Sequence, residues 1–186
     1  MDFALNDDHL ALRAAVLRFC DGEYPTQHRG NPETPAQASQ RRAAMAGLGL
    51  LGLPFATEVG GSELGAVEVM LVAQELGRAL GDGAFVASTV MAGHLLQHLG
   101  NAAQQQRWLP QLASGESQGA VALYEEGTRY QWQKCQTYAR ITPRGWALTG
   151  RKTLVLSGDS ADLLLVVART SAEVADCAGQ IGRAHV

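Results

Sequence analysis

Ala147-Leu148-Thr149-Gly150-Arg151-Lys152-Thr153-Leu154-Val155-Leu156-Ser157-Gly158, followed by Asp162-Leu163-Leu164-Leu165-Val166-Val167-Ala168-Arg169-Thr170, decides how this chain is built. Both runs are short and apolar, and a Ser/Gly/Asp turn separates them, so they read as two β segments. Upstream, Ala120-Val121-Ala122-Leu123 predicts another strand. Cys135, Thr137, Ala139 and Ile141 then alternate with Gln136, Tyr138, Arg140 and Thr142, and Pro143-Arg144-Gly145 turns the chain into Trp146-Ala147-Leu148-Thr149, which predicts a hairpin. Before Gly119 the pattern is helical. A change of period marks a domain joint, and ligand sites favour such joints.

The helical part divides at its caps and breakers. Asn6 or Asp7 caps a helix to about Cys20, with Leu10, Ala14 and Leu17 on one face and Asp21-Gly22 and Pro25 at its end. Residues 25–33 are polar and loop-like. Thr34-Pro35 opens a second helix, to about Ala46, with proline where its missing N–H costs nothing. Ser62 caps a third from about Glu63 to Leu80, carrying Leu64, Val67, Leu71, Leu76 and Leu80, and Gly81-Asp82-Gly83 stops it. Phe85–Leu99 forms the next, ended by Gly100, and Asn101 caps another through Leu109 before Pro110. Residues 1–113 are therefore expected to be an all-α domain of about five helices, residues 114–170 a partial β domain, and the class α+β.

Composition bounds the function. With 186 residues, 46% hydrophobic and 18% charged, the chain has an ordinary globular make-up. A net charge of -3 with scattered Lys and Arg leaves no basic stripe for nucleic acid. The longest apolar stretch free of charge, Ala43–Thr57, contains three glycines and Pro54 and falls short of the roughly 20 residues of a membrane span. The opening residues are acidic where a leader would be basic. Cys20, Cys135 and Cys177 are odd in number and far apart, which suits neither a disulfide framework nor a zinc site. The cytoplasm is the expected compartment.

Gly47-Leu48-Gly49-Leu50-Leu51-Gly52 matches G-x-G-x-x-G, but a helix precedes it and Leu53-Pro54-Phe55 follows, so it reads as a helix end and a buried connection. His94 and His98 lie one helical turn apart without an acid at position 95 or a third ligand nearby, and no metal is assigned to them. Glu125-Glu126 point to opposite faces of a strand end and read as a solvated pair.

Longer stretches resemble the acyl-CoA dehydrogenase family. Gly47–Gly61, GLGLLGLPFATEVGG, is similar to the family's GLLGLxxPEEYGG, and Trp108–Glu116, WLPQLASGE, to its YLPxLASGE. Trp146–Gly158 with Ala161-Asp162 and Val166–Thr170 resembles GYxLNGxKxWITNG...AD...VxART. The likeness covers residues 1–170 and implies an N-terminal helical domain followed by the start of a β-barrel-like middle domain, with the family's C-terminal helical bundle missing. Within the family the chain is most similar to small subunits of pimeloyl-CoA dehydrogenase type, through MDFxL, Glu125 with Arg129-Tyr130, and GDSADLLxVxART.

The resemblance implies FAD-dependent α,β-dehydrogenation of an acyl-CoA thioester. It also implies a homologous large subunit or further copies of the chain as assembly partners, and electron-transfer flavoprotein as acceptor. The family's base is a glutamate in a later part, so no catalytic residue is named here. The flavin motif ALTEPGAGSD aligns with Ala122–Gln131, which places Leu123, Tyr124 and Tyr130 at cofactor-contacting positions and Arg129 where the family has glycine. The W-I-T segment aligns with Leu154-Val155-Leu156, adding Leu154 and Leu156. Two readings follow: a modified FAD site in which tyrosine hydroxyls substitute, or a non-catalytic subunit whose side chains fill the vacated pocket.

After Thr170 the pattern stops. The tail Ser171–Val186 is read as non-structural, and Ile181–Val186 as translated sequencing adapter. The chain is therefore expected to be a fragment, inactive by itself.

Overall fold

The computed structural model describes residues 4–25, 34–81, 84–128, 131 and 134–170. Residues 1–3, 26–33, 82–83, 129–130 (Arg129 and Tyr130), 132–133 and 171–186 lie outside the described residues. Two units form, Met1–Ser117 and Gln118–Val186. The first is helical, and every strand among the described residues belongs to the second, an α+β architecture.

In the first unit, α1 spans Asp7–Glu23. Its cap is reciprocal: the Asn6 side chain accepts the His9 N–H at 2.8 Å, and His9 Nδ1 accepts the Asn6 N–H at 3.4 Å. Histidine thus fills the place usual for Glu or Gln. The helix runs past Cys20 to Glu23, and the face that carries Leu10 and Leu17 is not its buried one. Leu10 is 50% exposed and Leu17 36%, whereas Val16 and Cys20 are fully buried. Polar contacts to α3 (Ala66–Arg78) set the rotation. His9 Nε2 meets Glu68 at 3.0 Å and Arg13 Nε donates to Glu75 at 2.9 Å, while Val16 and Cys20, with Leu12 and Phe19 beside them, turn into the core.

Helix α2, Pro35–Gly47, begins at the Thr34 cap with Gln37 returning the bond. It ends in turns through which Leu50, Leu51, Leu53 and Phe55 are buried, the buried connection expected of the glycine-rich stretch.

Helix α3 starts three residues later than expected. The N–H groups of Ser62, Glu63 and Leu64 are taken by the carbonyls of Gly52, Phe55 and Leu53, and Glu63 stands at φ 53°, outside the right-handed helical region. Glu68 accepts the Gly65 N–H at 2.9 Å instead. Leu71, Val72 and Leu76 are buried; Leu64, Val67 and Leu80 are exposed. Leu80 closes the helix in the left-handed region at φ 54°, with the Gly81 N–H on the Leu76 carbonyl, a Schellman ending without its customary glycine.

The next helix has two windings, a π-helical segment Phe85–Gly93 that continues into α4, His94–Leu99. Thr89 Oγ1 donates to the Leu51 carbonyl at 3.0 Å, and a Cβ on Gly93 would collide with the Phe55 ring. Helix α5, Ala102–Ala113, is capped by Asn101 with Gln104 and runs through Pro110, where a stop was expected. Burial of Leu109, Leu112 and Ala113 offsets the lost proline N–H.

In the second unit, β1 (Gly119–Ala122) pairs in parallel with β4 (Leu163–Val166), Gly119 opposite Leu163 and Ala122 opposite Val166. Asp162 locks the register: its carboxylate accepts the Gln118 N–H at 2.8 Å and its own N–H binds the Gln118 carbonyl. Strands β2 (Tyr138–Thr142) and β3 (Gly145–Thr149) form the expected hairpin. Its loop is Pro143-Arg144 alone, because Gly145, at φ 111°, already pairs with Thr142. Beyond β4 the chain changes neighbour: the Val167 N–H reaches Ala122, whereas Arg169 exchanges bonds with Thr137 and Ala139. The β segment expected over 147–158 extends only to Thr149. Leu154 and Ser157 take left-handed φ values of 53° and 54°, which no strand accommodates. Among the described residues no helix is long and apolar enough to cross a membrane.

Candidate functional site

Three stretches of the second unit meet at one carboxylate. The chain leaves buried β1 at Leu123, shows Tyr124 to solvent and folds Glu125 back inside, where it is 7% exposed. A turn follows, fixed by Thr128, whose Oγ1 donates to the Glu125 carbonyl at 2.8 Å. The Glu125 carboxylate accepts Lys152 Nζ at 2.8 Å, the Thr137 N–H at 2.9 Å and the Gln136 N–H at 2.7 Å. Lys152 Nζ also donates to the Leu123 carbonyl at 3.2 Å and stands 3.5 Å from Cys135 Sγ. Segments 123–128, 134–137 and 152–154 are thereby tied to a single buried ion pair.

Burial alone would raise the Glu125 carboxyl. The Lys152 ammonium and the bonds from Thr137 and Gln136 outweigh it and hold the group at about 2. A carboxylate so stabilised is a poor proton acceptor, so Glu125 is a structural anion. Cys135 is 2% exposed and burial pushes its thiol up; Cys20, also buried, is pushed to about 11. Neither is an activated nucleophile.

The ion pair presents a surface. The Thr153 N–H donates to the Tyr124 carbonyl at 2.8 Å, which joins the stretch after β1 to the stretch after β3. Beside that junction Tyr124 is 38% exposed, Leu154 84% and Leu156 57%. Of the residues picked from sequence, Leu123 and Tyr124 accept at their carbonyls from Lys152 Nζ and the Thr153 N–H, and Leu154 is next in the chain. Leu156 follows two residues on, and Tyr130 lies outside the described residues. The side chains of Leu154 and Leu156 face solvent and fill no interior.

Sequence reasoning took Glu125 for a solvated strand end and gave Lys152 no role. The structure corrects both: Glu126 is exposed, but Glu125 is buried. A lysine between strand-like residues, following a carboxylate in the previous apolar run, was the available signal. Its weakness is that the partners are 27 residues apart.

The family model described as acyl-CoA dehydrogenase, N-terminal domain, matches residues 6–116. Benzylmalonyl-CoA dehydrogenase of Aromatoleum aromaticum is 30% identical over 175 residues, covering 93% of this chain and 46% of that protein. An acyl-CoA dehydrogenase from Geobacillus kaustophilus superposes with a TM-score of 0.87 at 24% identity, over 100% of this chain and 49% of that one. The acyl-CoA dehydrogenase of Bacillus anthracis, solved in complex with FAD, gives a TM-score of 0.76 at 26% identity, over 89% and 30%. The chain spans less than half the length of these relatives.

Proposed function

This chain belongs to the acyl-CoA dehydrogenase family, and from that premise we propose that its whole protein carries out FAD-dependent α,β-dehydrogenation of an acyl-CoA thioester. In our reading the substrate is a dicarboxylyl-CoA such as pimeloyl-CoA, and the chain belongs to the small subunit of a heteromeric, cytoplasmic enzyme. A homologous large subunit or a second copy is the assembly partner, and electron-transfer flavoprotein the acceptor.

The observation that carries the proposal is the open surface of Tyr124, Leu154 and Leu156 beside the Glu125–Lys152 pair. It suits a flat, largely apolar ring with a polar edge: the leucines are exposed rather than packed, and a phenol stands at the border. FAD bound there would supply the acceptor for the substrate's β-hydride. Leu154 and Leu156 would cover the ring and exclude water, the Tyr124 hydroxyl would orient its edge by a hydrogen bond, and Leu123 and Tyr130 would complete the contacts. Glu125 and Lys152 would hold these segments in place. No residue of this chain is assigned as the base.

One observation favours a second reading. The Leu156 side chain has no hydrogen-bond donor to offer a flavin, which fits a non-catalytic subunit with a degenerate site. Flavin stoichiometry of the full-length protein purified with its partner separates the two. One FAD per small subunit, reduced on addition of a dicarboxylyl-CoA, supports the first reading; FAD on the partner alone supports the second. A complex without flavin would refute both.

A further inference from the structure

Leu154 and Ser157 hold a conformation that their residue types do not favour. Thr153-Leu154-Val155-Leu156 has the composition of a strand, yet Leu154 stands at φ 53° and Ser157 at φ 54°, both in the left-handed region. There the Cβ crowds the following carbonyl oxygen, and a leucine or serine stays only where its surroundings hold it.

Two anchors hold the segment. Before it, the Thr153 N–H donates to the Tyr124 carbonyl at 2.8 Å and Lys152 Nζ donates to Glu125 at 2.8 Å. After it, Ser160 Oγ donates to the Ser157 carbonyl at 3.3 Å and accepts Gln118 Nε2 at 3.1 Å, while the Asp162 carboxylate accepts the Gln118 N–H. Between the anchors the Gly158 N–H closes a turn on the Val155 carbonyl at 3.1 Å. The strain is not offset by packing of the leucines, because Leu154 is 84% and Leu156 57% exposed. Strain kept without a gain in burial is characteristic of ligand clamps.

We propose that the left-handed turn at Ser157, with that at Leu154, places Leu154 and Leu156 for the cofactor, which makes Ser157 a positioning residue of the flavin surface. The inference rests on the flavin reading above and adds to it a residue that acts through its backbone. Among the described residues the carbonyl of Ser157 is engaged and its hydroxyl is not, so a substitution there changes backbone preference without removing a side-chain bond. Apparent affinity then follows the fraction of molecules that hold the left-handed turn.

The test compares FAD titration and thermal melting of the full-length protein with three variants. Asparagine tolerates the left-handed region, so Ser157→Asn should keep the affinity of the unaltered protein. Threonine and valine are β-branched and resist a positive φ, so Ser157→Thr and Ser157→Val should each weaken FAD by about tenfold. Ser157→Thr keeps the hydroxyl and adds only a methyl group, which secures the comparison if Ser157→Val fails to fold. A purely structural role would move the melting temperatures and leave the affinity of the folded proteins alone. Equal FAD affinity in Ser157→Asn and Ser157→Thr, with the unaltered protein binding, would overturn the inference and leave the flavin reading standing. Tighter binding by Ser157→Thr than by Ser157→Asn would overturn it too, since the extended form would then be the one that binds. No FAD binding by the unaltered protein would remove the flavin reading and this inference together.

Discussion

At Glu125 burial and pairing oppose each other, and pairing wins. The folded carboxyl titrates at about 2 against an ordinary 4.5. A depressed pKa means that its contribution is complete above 4.5 and is lost as pH falls toward 2. At 1.36 kcal/mol per pH unit the contribution is about 3 kcal/mol at neutral pH. Glu125→Gln should therefore lower the unfolding free energy by about 3 kcal/mol at pH 7 and by much less at pH 3. Urea denaturation of both proteins at the two pH values measures this. Glu68 and Glu75 are also held below their usual range, by a backbone hydrogen bond and by Arg13 first. Both proteins share their acid sensitivity, so only the difference between the two reports on Glu125, and a difference independent of pH would contradict the assignment.

Among elements, α3 and the π-wound segment make opposite predictions for glycine. A Cβ at Gly77 meets nothing within 4 Å, so Gly77→Ala in α3 should stabilise by about 1 kcal/mol. Gly93→Ala drives a methyl into the fully buried Phe55 ring and should cost about 1–3 kcal/mol. At the end of α3, Leu80 is 72% exposed in a left-handed conformation. Leu80→Gly relieves that strain with little packing to lose and should gain about 0.5–1 kcal/mol. Thermal or urea unfolding of the three variants checks the signs.

These elements also show how far the sequence could be read. The caps Asn6, Thr34 and Asn101 were legible because a cap and its partner lie three residues apart. The start of α3 was not, because the left-handed turn at Glu63 is held by bonds from residues 62–64 to the carbonyls of Gly52, Leu53 and Phe55. The buried face of α1 was set by Glu68 and Glu75, more than fifty residues away, and Pro110 was read as a stop because burial of its neighbours is a tertiary fact. The two halves of the β1–β4 pair were visible as apolar runs, but their parallel register depends on Asp162 meeting Gln118. At the site, Leu123, Tyr124, Leu154 and Leu156 were reached through resemblance, whereas the buried pair that organises them was missed.

For the whole molecule, one chain provides a helical unit and a β unit whose exposed surface is held by an ion pair, in a family whose relatives are about twice its length. The central claim is that this surface binds flavin. Fluorescence titration of the full-length protein with FAD, alongside Tyr124→Phe and Leu154→Asp, tests it most directly. The account predicts saturable binding, weakened by about 1 kcal/mol in Tyr124→Phe for one lost hydrogen bond and by more in Leu154→Asp, where a charge meets an apolar ring. Binding equal in all three proteins, or no binding in the unaltered one, would contradict it.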